Sequence, residues 1–590
     1  MITVEYLADS RRVRLSTEQQ NSGWVDIRRA CLEQSDEFED FGPTKFSLPW
    51  WAFLAVRQVI GYYAKEHGIT INVDADATKL LTEALSKAKN FESNGEELYT
   101  PEEIVPRLKD AGFKRELTDK QIRNIHKLVK HSSSATFSVP GAGKTTEALA
   151  FFSLHRTPNT FLLVIAPKNA FAAWEEQVSE CLPELQNEVC RLIGGSANIN
   201  RLLADPKRIL LITYQQVPTV IELLGGFLNE HPTMIFLDES HRMKRGTSGV
   251  IGQAILSLAH LPRNKLIMSG TPLPNSLADL VPQFNFLYPE IRADESSIKE
   301  LVQKVFVRTT KKELNLPEVK RIPRPVDLTP SQRYLYTLLR SETAREAANL
   351  RTTDRVALRR LSRSVLRLIQ LVSNPTLLAK HPFAHEGVLG QILSEEDSPK
   401  LSYVCDRARE LASQGRKTVI WSSFVDNVEL IASRLSDLRA EYIHGGVEAG
   451  SEEEEDTREA KIKRFHNDEH TYVLVANPAA CSEGISLHTV CHNAIYLDRN
   501  FNAAQYLQSE DRIHRYGLGP DDITYVEIVY APDTIDDIVD TRLRAKVKRM
   551  GEVLDDPDLN IDPISLDPES TDLEAEDIGE VLDYLKKGGV

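Results

Sequence analysis

The stretch SVPGAGKTT, residues 138–146, closes a short apolar run and opens a helix-length segment. Glycines let backbone N–H groups approach phosphate closely, and the helix behind them offers its positive end. On that reading Pro140, Gly141, Ala142 and Gly143 form a cradle. Lys144 would reach the β and γ phosphates, and the Thr145 hydroxyl would hold Mg²⁺ with Thr146 beside it. The strict phosphate-loop pattern has Gly five residues before Gly143, where this chain has Ser138. A Gly-rich turn without chemistry is the competing reading, and what stands at the right distances decides between them.

From about residue 116 short apolar runs recur: ATFSV, FLLVIA, ILLITY, TMIFLD and KLIMSG. Each is bounded by turn signals and separated by helix-length stretches, the pattern of buried parallel strands. A second block follows with KTVIWSSF, TYVLVAN, NAIYLD and TYVEIVY. The expectation is an α/β protein with two parallel-sheet lobes, 116–290 and 399–545. Between them, 291–398 reads as helical, with Leu361, Val365, Leu368, Ile369 and Val372 at helical spacing. Residues 1–115 mix strand-like runs with a helix opened by Pro49 and closed by Gly68, a small α+β accessory domain whose Trp50 and Trp51 read as core. The tail, 546–590, is acidic and rich in Pro and Asp, and reads as flexible.

Ligands bind at the carboxyl ends of parallel strands, and the polar clusters fall there. TMIFL runs into Asp238, Glu239, Ser240 and His241. A nucleotide motor needs one carboxylate for Mg²⁺ and a group to orient the attacking water. Asp238 and Glu239 can divide those roles; an acidic helix cap is the bland alternative. KLIM runs into Ser269, Gly270 and Thr271, small polar residues able to sense the γ-phosphate, with His241 as a coupling partner. In the second block, Gln508, Arg512 and Arg515 stand at i, i+4 and i+7. On one helix they share a face, and two arginines can stabilise charge on a transferring phosphoryl group.

Bulk properties exclude several classes. A net charge of −15 argues against a protein held on nucleic acid by overall charge, though a local basic track remains open. The six cysteines show no CxxC spacing, so neither zinc nor a disulfide framework is expected, and a reducing cytoplasm fits. No run is long and apolar enough for a membrane span.

Taken in order, these motifs resemble helicase superfamily two and, within it, the Swi/Snf-type ATPases. LTDKQIRNI is similar to the Q-motif region, which makes Gln121 the adenine-reading candidate. LLVIAPKNAFAAWEEQ resembles motif Ia, FLDESHRMK motif II, and SGTPLPNSLADLVPQFNFLYP the most specific signature. VIWSSFVDNVELI, ANPAACSEGISLHTV and NAAQYLQSEDRIHRYG resemble motifs IV to VI, which adds Gly484 to the nucleotide set. The chain departs from the family at Ser138, where Asp is usual, and at Ser240, where Ala or Gly is usual. The resemblance implies two RecA-like lobes sharing ATP and Mg²⁺, with Lys144, Thr145, Asp238 and Glu239 from one and Arg512 and Arg515 from the other. It also implies ATP-driven translocation on double-stranded DNA. The short interlobe region resembles compact bacterial or viral members, and the N-terminal domain the accessory part of annealing helicases.

Nucleic-acid contacts implied by the resemblance are Lys168, Asn169, Thr213, Tyr214 and Asn477. Independently, Arg351, Arg355, Arg359, Arg363 and Arg367 recur every four residues. On a helix that row winds by about 40° per step, so it could follow a phosphate backbone or be a solvated face balanced by neighbouring acids. Protein partners could use the N-terminal domain or the acidic tail. A strand-separating DNA or RNA helicase, or a catalytically inactive scaffold, are the alternative functions.

Overall fold

In the computed structural model, the described residues are all except 35–36, 94, 96, 244–248, 274–275, 349–354, 381–383, 396, 449–455, 482–484, 557–558, 560–583 and 585–590. The side chains of 34, 347–348, 355–359 and 481 are also outside the description. The chain divides into two units, Met1–Thr310 and Lys311–Val590.

The first unit carries two sheets. The N-terminal one contains β1 (Ile2–Leu7), β2 (Arg12–Thr17), β3 (Glu39–Asp40), β4 (Lys45–Pro49) and β5 (Ile71–Val73), ordered β3-β4-β2-β1-β5. Its β1–β5 pair is parallel and the rest antiparallel. The helix Trp50–Glu66 starts directly from β4 and buries Trp50 and Trp51 in the core. This sheet is tied to the larger one within the same unit. Arg11 pairs with Glu222 at 2.8 Å, and the Tyr6 hydroxyl lies 2.6 Å from His260 Nε2. A Cβ at Gly225 would stand 2.0 Å from the Arg11 guanidinium, so glycine is what admits the arginine there.

The second sheet is parallel throughout. It contains β6 (Ser133–Thr136), β7 (Phe161–Ile165), β8 (Val189–Arg191), β9 (Ile209–Ile212), β10 (Thr233–Asp238), β11 (Lys265–Met268) and β12 (Phe306–Val307), ordered β12-β6-β11-β10-β7-β9-β8. Central strands such as β7 and β9 are buried at every residue, which explains their unbroken apolar runs. Each fully buried Leu, Ile or Phe contributes about 1.5–3 kcal/mol. The helix Lys144–His155 is buried from Thr146 to Ser153, so its sequence lacks a polar stripe. The order β6-β11-β10 puts the strand that enters the Gly-rich loop beside the strand ending at Met268, with the strand ending at Asp238 next beyond it.

The second unit has one parallel sheet: β13 (Val319–Pro325), β14 (Thr418–Trp421), β15 (Glu441–Ile443), β16 (Val473–Ala476), β17 (Asn493–Tyr496) and β18 (Thr524–Tyr530), ordered β13-β18-β17-β14-β16-β15. The fold class is thus α/β, with parallel sheets in both units. The stretch 291–398, read as helical, also contains β12 and β13. β13 is an edge strand, where Pro323 and Pro325 remove no needed ladder donor. The helix Arg355–Ser373 buries Leu361, Val365, Leu368, Ile369 and Val372, while Arg363 and Arg367 are exposed. Among the described helices, none is long and apolar enough to cross a membrane.

Candidate active site

The Gly-rich loop leaves β6 and enters the helix at Lys144. Gly141 and Gly143 adopt φ of 87° and 86°, the left-handed region that only glycine occupies cheaply. At Gly143 space also matters, because a Cβ would lie 2.3 Å from Gln121 Nε2. Gln121 sits at the third position of the helix Asp119–Leu128 in a capping box with Thr118. Its Oε1 accepts the Thr118 N–H at 3.0 Å, which turns its amide nitrogen to the loop, 3.4 Å from the Ala142 carbonyl. Lys144 Nζ donates to the Ser138 carbonyl at 3.0 Å. Thr146 is buried, its hydroxyl donating to Gln177 Oε1, so of the two threonines Thr145 is the one at the loop surface.

Asp238 closes β10 and is held on two sides. Trp174 Nε1 donates to its Oδ2 at 3.0 Å, and the Tyr214 hydroxyl donates to its carbonyl at 2.8 Å. Glu239 follows with φ of 53°, a left-handed conformation that costs a non-glycine residue energy and clusters at functional sites. The turn brings its carboxylate to 3.4 Å from His241 Nδ1 and 3.5 Å from the Ser269 hydroxyl. Ser269 is also 3.0 Å from His241 Nδ1 and accepts the Thr271 N–H at 3.1 Å. One hydroxyl therefore links Glu239, His241 and Thr271. Ser240 is explained by Gln283: the serine hydroxyl donates to Oε1 at 2.6 Å, and the Gln283 amide donates to the carbonyls of Pro272 and Asp279. Gln283 was missed in the sequence. Its one signal is a glutamine inside the apolar run LVPQFNFL.

Two features fit a bound nucleotide: the glycine cradle at a helix N-terminus, and the consecutive carboxylates Asp238 and Glu239 at the end of β10 in the same sheet. The hard oxygen donors Asp238 and Thr145 suit Mg²⁺.

In the second unit the sequence expectation needs correction. The helix Ala503–Glu510 stops before both arginines, so Gln508, Arg512 and Arg515 do not share a helical face. The reason is the buried acid pair that follows. Glu510 is gripped by Arg321 at 2.8 and 3.0 Å, and Asp511 by Lys311 at 2.6 Å. The chain then tightens, with the Arg512 N–H donating to Ser509 O. Arg512 is buried, donating from Nε to the Gln508 carbonyl and from NH1 to that of Ile485, both at 3.0 Å. Arg515 is half-buried beside Asp511, and burial lowers its pKa.

Two residues expected to contact nucleic acid have buried side chains. Tyr214 is fully buried with its hydroxyl on Asp238. Asn477 is buried as a turn residue, donating to Ser423 O and accepting the Ala479 N–H. Lys168 is exposed after β7, Asn169 and Thr213 half-buried. Gly484 and the side chains of Arg355 and Arg359 lie outside the described residues.

Residues 131–299 match the SNF2-related domain and 399–517 the helicase conserved C-terminal domain. The chain is 26% identical over 421 residues to the chromatin remodeling factor mit1 of Schizosaccharomyces pombe, covering 64% of this chain and 28% of that one. It is 21% identical over 449 residues to the mouse DNA annealing helicase and endonuclease ZRANB3, covering 70% and 38%. It thus spans well under half of these relatives. A solved Sulfolobus solfataricus SWI2/SNF2 ATPase core in complex with dsDNA aligns at 20% identity with a TM-score of 0.33, covering 80% of this chain and 97% of that one.

Proposed function

We propose, from the match of residues 131–299 to the SNF2-related domain and of 399–517 to the helicase conserved C-terminal domain, that this chain is an ATP-hydrolysing enzyme of the Swi/Snf helicase-like type and a DNA-stimulated motor translocating on duplex DNA. The observation that carries the reading is the strand order β6-β11-β10, which gathers Lys144, Asp238, Glu239 and Ser269 along one sheet edge.

In this reading the Gly141–Gly143 loop and Lys144 bind the phosphates, and Gln121 reads the adenine. Thr145 and Asp238 hold Mg²⁺, which when bound neutralises charge on the β and γ phosphates. Glu239 orients the attacking water, and Ser269 with His241 fixes its carboxylate. Arg512 and Arg515 supply positive charge to the transferring phosphoryl group. Lys168, Asn169 and Thr213 contact DNA phosphates, so binding is weakly sequence-specific and salt-sensitive.

The test is the ATPase rate without nucleic acid and with single-stranded, duplex and forked DNA and RNA, beside triplex-displacement and strand-displacement assays. Duplex stimulation with triplex displacement alone is expected. Displaced single strands would make the chain a strand-separating helicase, and absence of turnover an inactive scaffold. Glu239→Gln is expected to keep ATP binding and lower turnover by about 10²–10⁴-fold. Surviving turnover would remove Glu239 from its assigned role.

A further inference from the structure

Glu147 stands in the first turn of the Lys144–His155 helix and is completely buried. Its Oε1 accepts from Asn124 Nδ2 at 2.7 Å, and its Oε2 from the Thr136 hydroxyl at 2.8 Å. Asn124 lies one turn beyond Gln121 on the same helix, so Glu147 ties that helix to the phosphate-loop helix. Thr136 ends β6, the strand that enters the loop. The chain of contacts continues: Thr136 Oγ1 lies 3.2 Å from the Ser138 hydroxyl, which accepts the Thr309 N–H at 3.0 Å. Asn124 also donates to the Thr309 hydroxyl at 2.9 Å. Ser138 is the residue whose carbonyl holds Lys144.

We propose that Glu147 is a positioning residue for nucleotide specificity: through Asn124 and Thr136 it fixes the helix bearing Gln121 against the Gly143–Lys144 turn, so that base and phosphate are read by one rigid piece. The proposal rests on the assignment of Gln121 as the base reader. Glu147 itself touches neither base nor phosphate. Its effect is on register, because a hydrogen bond from Gln121 to a base edge discriminates only if the amide is held at the right distance from the phosphates. A polar site built to pair with one base rejects another by leaving buried groups unpaired.

The experiment measures dissociation constants of the full chain for ATP and GTP, by competition with a fluorescent adenosine triphosphate analogue. The variants are Gln121→Ala, Glu147→Ala, Asn124→Ala and Glu147→Gln. A glutamine can still accept from Asn124 and donate to the Thr136 oxygen. The wild type is expected to prefer ATP. Glu147→Ala and Asn124→Ala should each cut that preference at least about fivefold, as Gln121→Ala does, while Glu147→Gln stays within about twofold of wild type. A thermal melt identifies any variant that does not fold, and Asn124→Ala then reads the same link from the opposite helix. If Glu147→Ala and Asn124→Ala weaken ATP and GTP equally while Gln121→Ala lowers the preference, the positioning role is refuted and the base reader stands. If Gln121→Ala leaves the preference unchanged, the base-reader assignment fails and this proposal with it.

Discussion

Each unit buries one glutamate completely beside its proposed nucleotide elements, and the two carboxyls are driven in opposite directions. Burial is the largest influence on both Glu147 and Glu510. Around Glu147 the direct partners are neutral, an amide and a hydroxyl, and Lys144 and Arg123 act only as more distant charges. Burial wins, and the carboxyl is pushed up to about 7. Around Glu510 the guanidinium of Arg321 and the ammonium of Lys311 outweigh burial, and the carboxyl is held at about 2. The lesson concerns what each segment has to hold. Next to a loop proposed to hold polyanionic phosphate, a carboxyl able to take a proton adds little fixed repulsion. Beneath the segment that carries Arg512 and Arg515, a permanently charged acid clamped by two cations anchors the backbone.

The largest effect should come from breaking the clamp. Removing one partner of a buried ion pair costs about 3–5 kcal/mol, because charge is left uncompensated. Glu510→Gln is expected to destabilise the second unit by an amount of that order at pH 7, read as faster hydrogen exchange in β17 and β18. Glu510 has a lowered pKa, so its contribution is present above the unfolded value near 4.5 and is lost as pH falls through about 2. The gap between wild type and variant should close across that window. Wild-type exchange in Glu510→Gln would erase the contrast between the units.

A second pair shows where the sequence misleads. TMIFLD and NAIYLD both close an apolar run with aspartate, and within those six residues nothing separates their roles; only the next residue differs, Glu239 against Arg499. Asp238 is half-buried at the end of β10, oriented by Trp174. Asp498 is buried, accepting from the hydroxyls of Ser373 and Ser422, the Ser423 N–H and the Asn427 amide. What could be read in advance was local: the glycine loop, the continuous apolar runs, and the acids and hydroxyls at strand ends. What could not be read depends on partners far along the chain. Ser373 lies 125 positions from Asp498, and the stop after Glu510 is set by Lys311 and Arg321, 199 and 189 positions away. The resemblance offers Tyr214 as a nucleic-acid contact, and the strand before it gives no sign that its hydroxyl turns inward to Asp238. Asp498→Asn is therefore expected to cost the second unit about 2–3 kcal/mol, since it weakens several hydrogen bonds to a charged acceptor. Asp238→Asn should leave exchange in the first unit unchanged and lower ATP turnover. Equal stability losses would mean that the two acids have the same job.

Glu147→Gln sharpens the comparison with a smaller effect of opposite sign. Glu147 has a raised pKa, so its favourable contribution is full below about 4.5 and is lost as pH rises through about 7. Above that, a buried charge is held by neutral donors alone, with Lys144 and Arg123 offsetting part of the cost. The glutamine carries no charge at any pH. Thermal melts of the two proteins should coincide near pH 4 and separate by pH 8, with the variant more stable by roughly 1–2 kcal/mol, below the ceiling set by a shift of this size. A variant less stable than wild type at pH 8 would show that the carboxylate is the form the site requires.

The smallest effect concerns charges that no buried clamp uses. On the helix Arg355–Ser373 the apolar face is buried, and Arg363 and Arg367 are exposed and make no ion pair among the described residues. The Ser364 hydroxyl donates to Glu346, the kind of neighbouring acid that a merely solvated face would use for balance. If the arginine row follows a phosphate backbone, each contact adds about 0.9 to the slope of log affinity against log salt. Arg355→Ala, Arg359→Ala and Arg363→Ala together should then lower that slope by about 2–3, with weakening similar across sequences and no change in ATP affinity. A row that only keeps the helix solvated leaves the slope where it was.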